Sequence, residues 1–145
     1  MGNFLIYWLP PLFWMGFLFP ANDALSASST SCFIVPILKW LLPQVDQETI
    51  TKLHVLIRKF GHFGGYGILA LLLFRSFQAT EKKIWKVKWV MYSGTLAISY
   101  AILDEFLQTF ISTRTGSIQD WLIDSAGVFF TLSIVSLRSV GYFKN

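Results

Sequence analysis

Polar residues sit near only one end of each of three apolar stretches, and this asymmetry restricts the available folds more than any other feature. The groups are Arg58-Lys59-x-x-His62, Asp104-Glu105-x-x-Gln108 and Asp120-x-x-x-Asp124. Threaded through a bilayer, all three fall on the same side. Ionisable groups at membrane depth are costly and tend to be kept for a purpose. The cluster is therefore the candidate working part of the molecule.

The balance of residues around these groups makes an integral membrane protein the economical reading. Hydrophobic residues make up 54% of the 145 and charged residues only 14%, against about 25% charged in a soluble domain. The length holds one domain, 1–145, and no second. Apolar runs at about 4–19, 60–77, 89–110 and 121–140 predict an all-α, polytopic membrane bundle of four transmembrane helices. An interfacial amphipathic helix, capped by Asp46 and carrying Ile50, Leu53, His54 and Ile57 at helical spacing, leads into the second run. His54 reads there as a packing residue.

A spanning helix needs about 17–25 apolar residues, so the first run is short, and Pro10-Pro11 predict a kink in it. The small residues in Ala24-Leu25-Ser26-Ala27, after the apolar run, also give it the look of a signal peptide. No Lys or Arg precedes it, which favours a retained helix. Residues 21–30 read as loop. Residues 33–42, punctuated by Pro36 and Pro43, read as a segment lying in the interface or over the bundle.

Charge sets the orientation. Arg75, Lys82, Lys83, Lys86 and Lys88 bracket one short connection between two apolar runs. Such a run has the charge to contact RNA, but its apolar flanks make it a cytoplasmic loop under the positive-inside rule, and no nucleic-acid partner is expected. Four spans then put both termini in the cytoplasm, with Arg138 and Lys144 inside and residues 20–57 and 111–120 outside. Trp85, Trp89, Trp121, Tyr142 and Phe143 mark span ends, where aromatic rings favour the headgroup zone. The lone Cys32 forms no internal disulfide and at most joins two chains, leaving a homo-oligomer open.

Depth and direction bring the polar groups together. At about 1.5 Å rise per residue, His62 lies roughly 20 Å from Arg75, Asp124 roughly 21 Å from Arg138 and Asp104 roughly 24 Å from Lys88. All three belong to the outer third of the membrane or its edge. Gly94, Ala97, Ala101, Asp104 and Gln108 share one helical face, which Glu105 flanks. Asp120, Asp124, Gly127 and Thr131 share another, and Arg58, His62 and Gly65 a third, with Gly61 and Gly65 as a close-packing pair. Small residues admit close helix approach, so each face should turn inward and carry its charge with it. Arg58, Lys59 and Arg114 are the cations available to these acids, and His62 takes either charge state. The plainer reading is a set of ion pairs and hydrogen bonds locking the outer helix ends, with His62 bonded to Asp104 or Asp124.

The segments Arg58-Lys59-Phe60-Gly61-His62-Phe63-Gly64-Gly65-Tyr66, Asp104-Glu105-Phe106-Leu107-Gln108-Thr109-Phe110, Arg114 and Asp120-Trp121-Leu122-Ile123-Asp124-Ser125-Ala126-Gly127, in this order and spacing, resemble the VanZ-like family. The likeness spans about residues 54–135. Where that family often carries Pro or Gly before its arginine, this chain has Ile111-Ser112-Thr113, a departure in that turn. The resemblance implies a small multi-pass protein of the bacterial cell membrane, of a family whose founding member is associated with resistance to the glycopeptide teicoplanin. It carries over the motif residues Arg58, Lys59, His62, Tyr66, Asp104, Glu105, Gln108, Arg114, Asp120 and Asp124, without assigned roles.

Three functions compete. The first binds a membrane lipid, a lipid-linked cell-wall precursor or the antibiotic, with Arg58, Lys59 and Arg114 holding phosphate or carboxylate. The second is a hydrolase or transferase on a lipid-linked envelope substrate, with His62 as general base and Asp104 or Glu105 as its partner or the acid. No serine nucleophile elbow or phosphate-cradling glycine loop accompanies it. The third, a transporter, lacks charge in the inner halves of the spans. A metal site of His62 with Asp104, Glu105 and Asp124 has carboxylates for a hard cation but one histidine and no thiolate. No resident metal and no cofactor is expected.

Overall fold

The computed structural model describes residues 2–19, 26–81, 85–111 and 117–142. Its regular structure there is helical throughout: α1 (Gly2–Leu18), α2 (Ala27–Leu41), α3 (Gln47–Thr80), α4 (Val87–Gln108) and α5 (Ile118–Tyr142). Local chemistry fixes where two of these helices begin. The Asp46 carboxylate accepts the Thr49 N–H at 2.9 Å and the Thr49 hydroxyl at 2.7 Å. Those two bonds hold its carboxyl below the usual aspartate range. The Ser26 hydroxyl accepts the Ser29 N–H at 3.1 Å in the same way.

The second cap corrects one expectation. α2 begins inside residues 21–30, which read as loop, because the serines there serve as cap and first turn rather than as linker. α2 also carries Pro36 in its interior, as α1 carries Pro10 and Pro11. The amphipathic helix and the second apolar run are likewise not separate elements. They form the single 34-residue α3, about 51 Å long at helical rise, since no proline interrupts the sequence between Asp46 and Glu81.

Length and apolarity single out one helix. Among the described residues, Ile118–Arg138 alone is both long and apolar enough to cross a bilayer by composition. α1 and α2 are apolar but short. α3 and α4 are long, but each carries charged residues along its length.

α3 is the central member and packs on α5, α1, α4 and α2. Its Tyr66, Leu69, Ala70, Leu73 and Phe74 form the core with Ala97 and Ala101 of α4 and Val128 and Leu132 of α5. The closest approach is between α3 and α5. A Cβ added to Gly127 would stand 2.0 Å from the Phe63 carbonyl oxygen, and one added to Gly67 would stand 2.6 Å from Thr131 Oγ1. The expected Gly61–Gly65 pair is not the close contact: Gly61 faces open space and Gly65 meets Leu18 of α1.

Three side-chain hydrogen bonds to backbone carbonyls seat α1. Trp14 Nε1 donates to the Gly65 carbonyl at 2.9 Å, Ser76 Oγ to that of Tyr7 at 2.6 Å, and the Tyr100 hydroxyl to that of Met15 at 2.7 Å. α2 contacts α3 and contains no buried residue, with Phe33, Ile37 and Trp40 turned outward. At the opposite end, Glu81 pairs with Lys86 and Lys88, which hold its carboxyl below the usual range. The Lys88 ammonium lies 4.1 Å from the centre of the Trp89 ring.

Candidate functional site

The faces of α3, α4 and α5 that carry the polar residues meet, α4 and α5 through the small residues expected of them and α3 through Gly67 in place of Gly61 and Gly65. Ala97, Ala101, Asp104 and Gln108 are all buried on α4. Asp124 of α5 is completely inaccessible to solvent, and Tyr66 of α3 is 1% exposed. His62 Nδ1 lies 3.3 Å from Asp124 Oδ1. The Tyr66 hydroxyl donates to Asp104 Oδ2 at 2.8 Å. Glu105 Oε2 accepts the Ser117 N–H at 2.6 Å, which ties the end of α4 to the residue just before α5.

Of the two aspartates expected to bond His62, Asp124 is the one in contact, because the α3–α5 crossing at Gly127 brings those two helices together at that depth. The hydrolase reading pairs His62 with Asp104 or Glu105, and that pairing changes. Asp104 instead receives Tyr66, one turn beyond His62 on the same face of α3. Glu105, expected to flank the inward face, is only 8% exposed, since the start of α5 covers it.

A cavity of about 410 Å³ opens beside the acids. Its walls are mainly apolar side chains of α1, α2 and α3, including Trp14, Phe17, Ile34 and Ile57. Its polar lining comes from Arg58, His62, Tyr66, Asp104 and Thr30. Thr30 Oγ1 is also 3.1 Å from Nε2 of His54, which therefore has a polar contact and not packing alone.

The remaining motif residues divide. Lys59 is half-buried next to Arg58, and Asp120 is half-buried one turn before Asp124. Gln108 is buried, and among the described residues its side-chain nitrogen has no hydrogen-bond partner. Arg114 lies outside the described residues. Sequence reasoning missed Trp14, whose indole both lines the cavity and holds α1 on α3, and Ser125, which is buried directly after Asp124. Ser125 had a visible signal in its adjacency to a motif aspartate; Trp14 had none, since nothing in the sequence says which helix α1 leans on.

Tyr66 offers a direct test of this polar layer. Tyr66→Phe removes the hydroxyl that Asp104 Oδ2 accepts in a buried site, and is expected to lower unfolding stability in detergent by about 1–3 kcal/mol. A change under about 0.5 kcal/mol would show that the bond contributes nothing net.

No curated protein and no solved structure matches this chain. A family model described as VanZ/LLP1 matches residues 4–139. That is nearly the whole length, and the chain belongs to the VanZ/LLP1 family.

Proposed function

We propose that this is a multi-pass membrane protein that binds an amphiphile with an anionic head and an apolar chain, and that it contributes to tolerance of a glycopeptide such as teicoplanin. The observation that carries the reading is the cavity: apolar walls from three helices end at the guanidinium of Arg58 and the His62–Asp104 edge. A ligand pocket typically combines such walls with a few placed polar groups, and a planar guanidinium suits phosphate or carboxylate. Family membership, one candidate span over Ile118–Arg138 and outward apolar residues such as Phe13, Phe129 and Leu137 support membrane residence. The basic connection after α3 supports an orientation with both termini in the cytoplasm and the site near the outer face. Lys59, Gln108, Arg114, Asp120 and Asp124 are proposed to complete the polar end, and a second copy of the chain remains an open partner.

Gly61 and Gly64 give a clean experiment, since both line the cavity and neither has an atom within 4 Å of an added Cβ. Gly64→Phe should fill the space without disturbing the helices. Native mass spectrometry of the detergent-purified chain, offered phosphatidylglycerol and a polyprenyl phosphate, should show retention by wild type. Gly64→Phe and Arg58→Ala should abolish it, along with any gain in teicoplanin tolerance in expressing cells. Retention of neither probe by wild type, or equal retention by all three chains, would overturn the reading.

A second reading has one specific observation in its favour. His62 Nδ1 and Asp124 Oδ1 stand 3.3 Å apart without a formed hydrogen bond, close enough for a base and its orienter to pair once a substrate tightens the site. A hydrolase or transferase acting on a lipid-linked substrate would use His62 as base, with Asp124 orienting it and Asp104 or Glu105 nearby as acid. Product release from a polyprenyl-linked substrate, lost in His62→Gln, would distinguish it from binding alone.

A further inference from the structure

We infer that His62, Glu105 and Asp124 form a site for one divalent first-row cation of the zinc or manganese class. One ligand-type atom from each residue lies within 4.8 Å of the other two. One pair, His62 Nδ1 and Asp124 Oδ1 at 3.3 Å, already matches the separation of about 3.4 Å between two ligands on a tetrahedral ion with bonds near 2.1 Å. The third ligand has to close from at most 4.8 Å to about 3.4 Å, a distance that rotation of the Glu105 side chain covers.

The burial of these groups is independent support. Asp124 is wholly inaccessible and Glu105 is 8% exposed. Among the described residues, Asp124 Oδ2 and Glu105 Oε1 accept no hydrogen bond. Buried carboxylate oxygens are normally paired or bound to a metal. The Ser117 N–H fixes the other oxygen of Glu105, as an outer-shell donor does for a ligating carboxylate.

The three ligands come from three different helices, α3, α4 and α5, so the site exists only when the bundle is assembled. An imidazole with two carboxylates suits zinc or manganese better than magnesium or calcium, which prefer all-oxygen shells. His62 also lines the cavity, which places the ion at its polar end. The inference goes beyond amphiphile binding and stands whether or not the cavity holds one.

The test is a titration of the tag-free full-length chain, in detergent and stripped with a chelator, with zinc chloride and then manganese chloride. Uptake should saturate at about one ion per chain and raise the unfolding midpoint, as expected for a ligand of the folded state alone. Asp124→Asn and Glu105→Gln should lose saturable uptake, whereas His54→Ala, which removes the other histidine, should keep it. Absence of saturable uptake of either metal by wild type overturns the proposal, whatever the folding of the variants. So does uptake that survives both carboxylate substitutions or disappears with His54→Ala.

Discussion

Gly127→Ala is expected to be the most damaging single-atom change in the molecule, costing about 3 kcal/mol or more of stability. The added Cβ would stand 2.0 Å from the carbonyl oxygen of Phe63 and 2.9 Å from its carbon. Both atoms are backbone, so no side chain can swing aside, and α3 and α5 must move apart along their whole crossing. Thermal unfolding in detergent should show the midpoint falling by roughly 10 °C, if the variant assembles at all. Gly64→Ala gives the opposite sign: its added methyl meets nothing within 4 Å, and alanine is favoured over glycine in a helix by about 0.5–1 kcal/mol. Equal midpoints for the two variants would mean that the α3–α5 approach is looser than described.

His62→Leu is the second large effect. Asp124 has no access to solvent, and its ion-pair contact is His62 at 3.3 Å. Removing His62 leaves the buried Asp124 carboxyl without its partner, at a cost of about 1–3 kcal/mol for an unsatisfied buried group and about 3–5 kcal/mol where the pair is ionised. The remedy is specific: Asp124→Asn in the same chain removes the stranded charge at nearly constant volume. With chelator present throughout, denaturant unfolding should show the double variant recovering most of the loss. A double variant no more stable than His62→Leu alone would show that the pair is not what holds Asp124 in place.

Helix faces were readable in the sequence because periodicity decides which side of a helix looks inward. Ala97, Ala101, Asp104 and Gln108 recur by three and four, and all four are buried together. Asp124 and Gly127 follow the same rule on α5. What periodicity does not encode is which helix faces which, so the choice between Asp104 and Asp124 as partner of His62 stayed open and the neighbour of Gly65 was misplaced. Glycine spacing misled for that reason: Gly61 and Gly65 share a face, but the tight crossing uses Gly67 and Gly127. α2 was hidden by composition, since Ser, Thr and Ala serve equally as linker and as a capped first turn. Four crossing helices were inferred from apolar runs, and the charges within α3 and α4 keep those two below the apolarity that Ile118–Arg138 reaches.

The seating of α1 has a consequence for access. Three hydrogen bonds tie it to α3 and α4, each worth roughly 0.5–1.5 kcal/mol net, and Trp14, Phe17 and Leu18 are its share of the cavity wall. A chain trimmed of α1 would keep the Gly127 crossing and the His62–Asp124 contact. It would lose the wall that Trp14, Phe17 and Leu18 supply, and the proposed amphiphile, if it binds there, would exchange more freely with its surroundings.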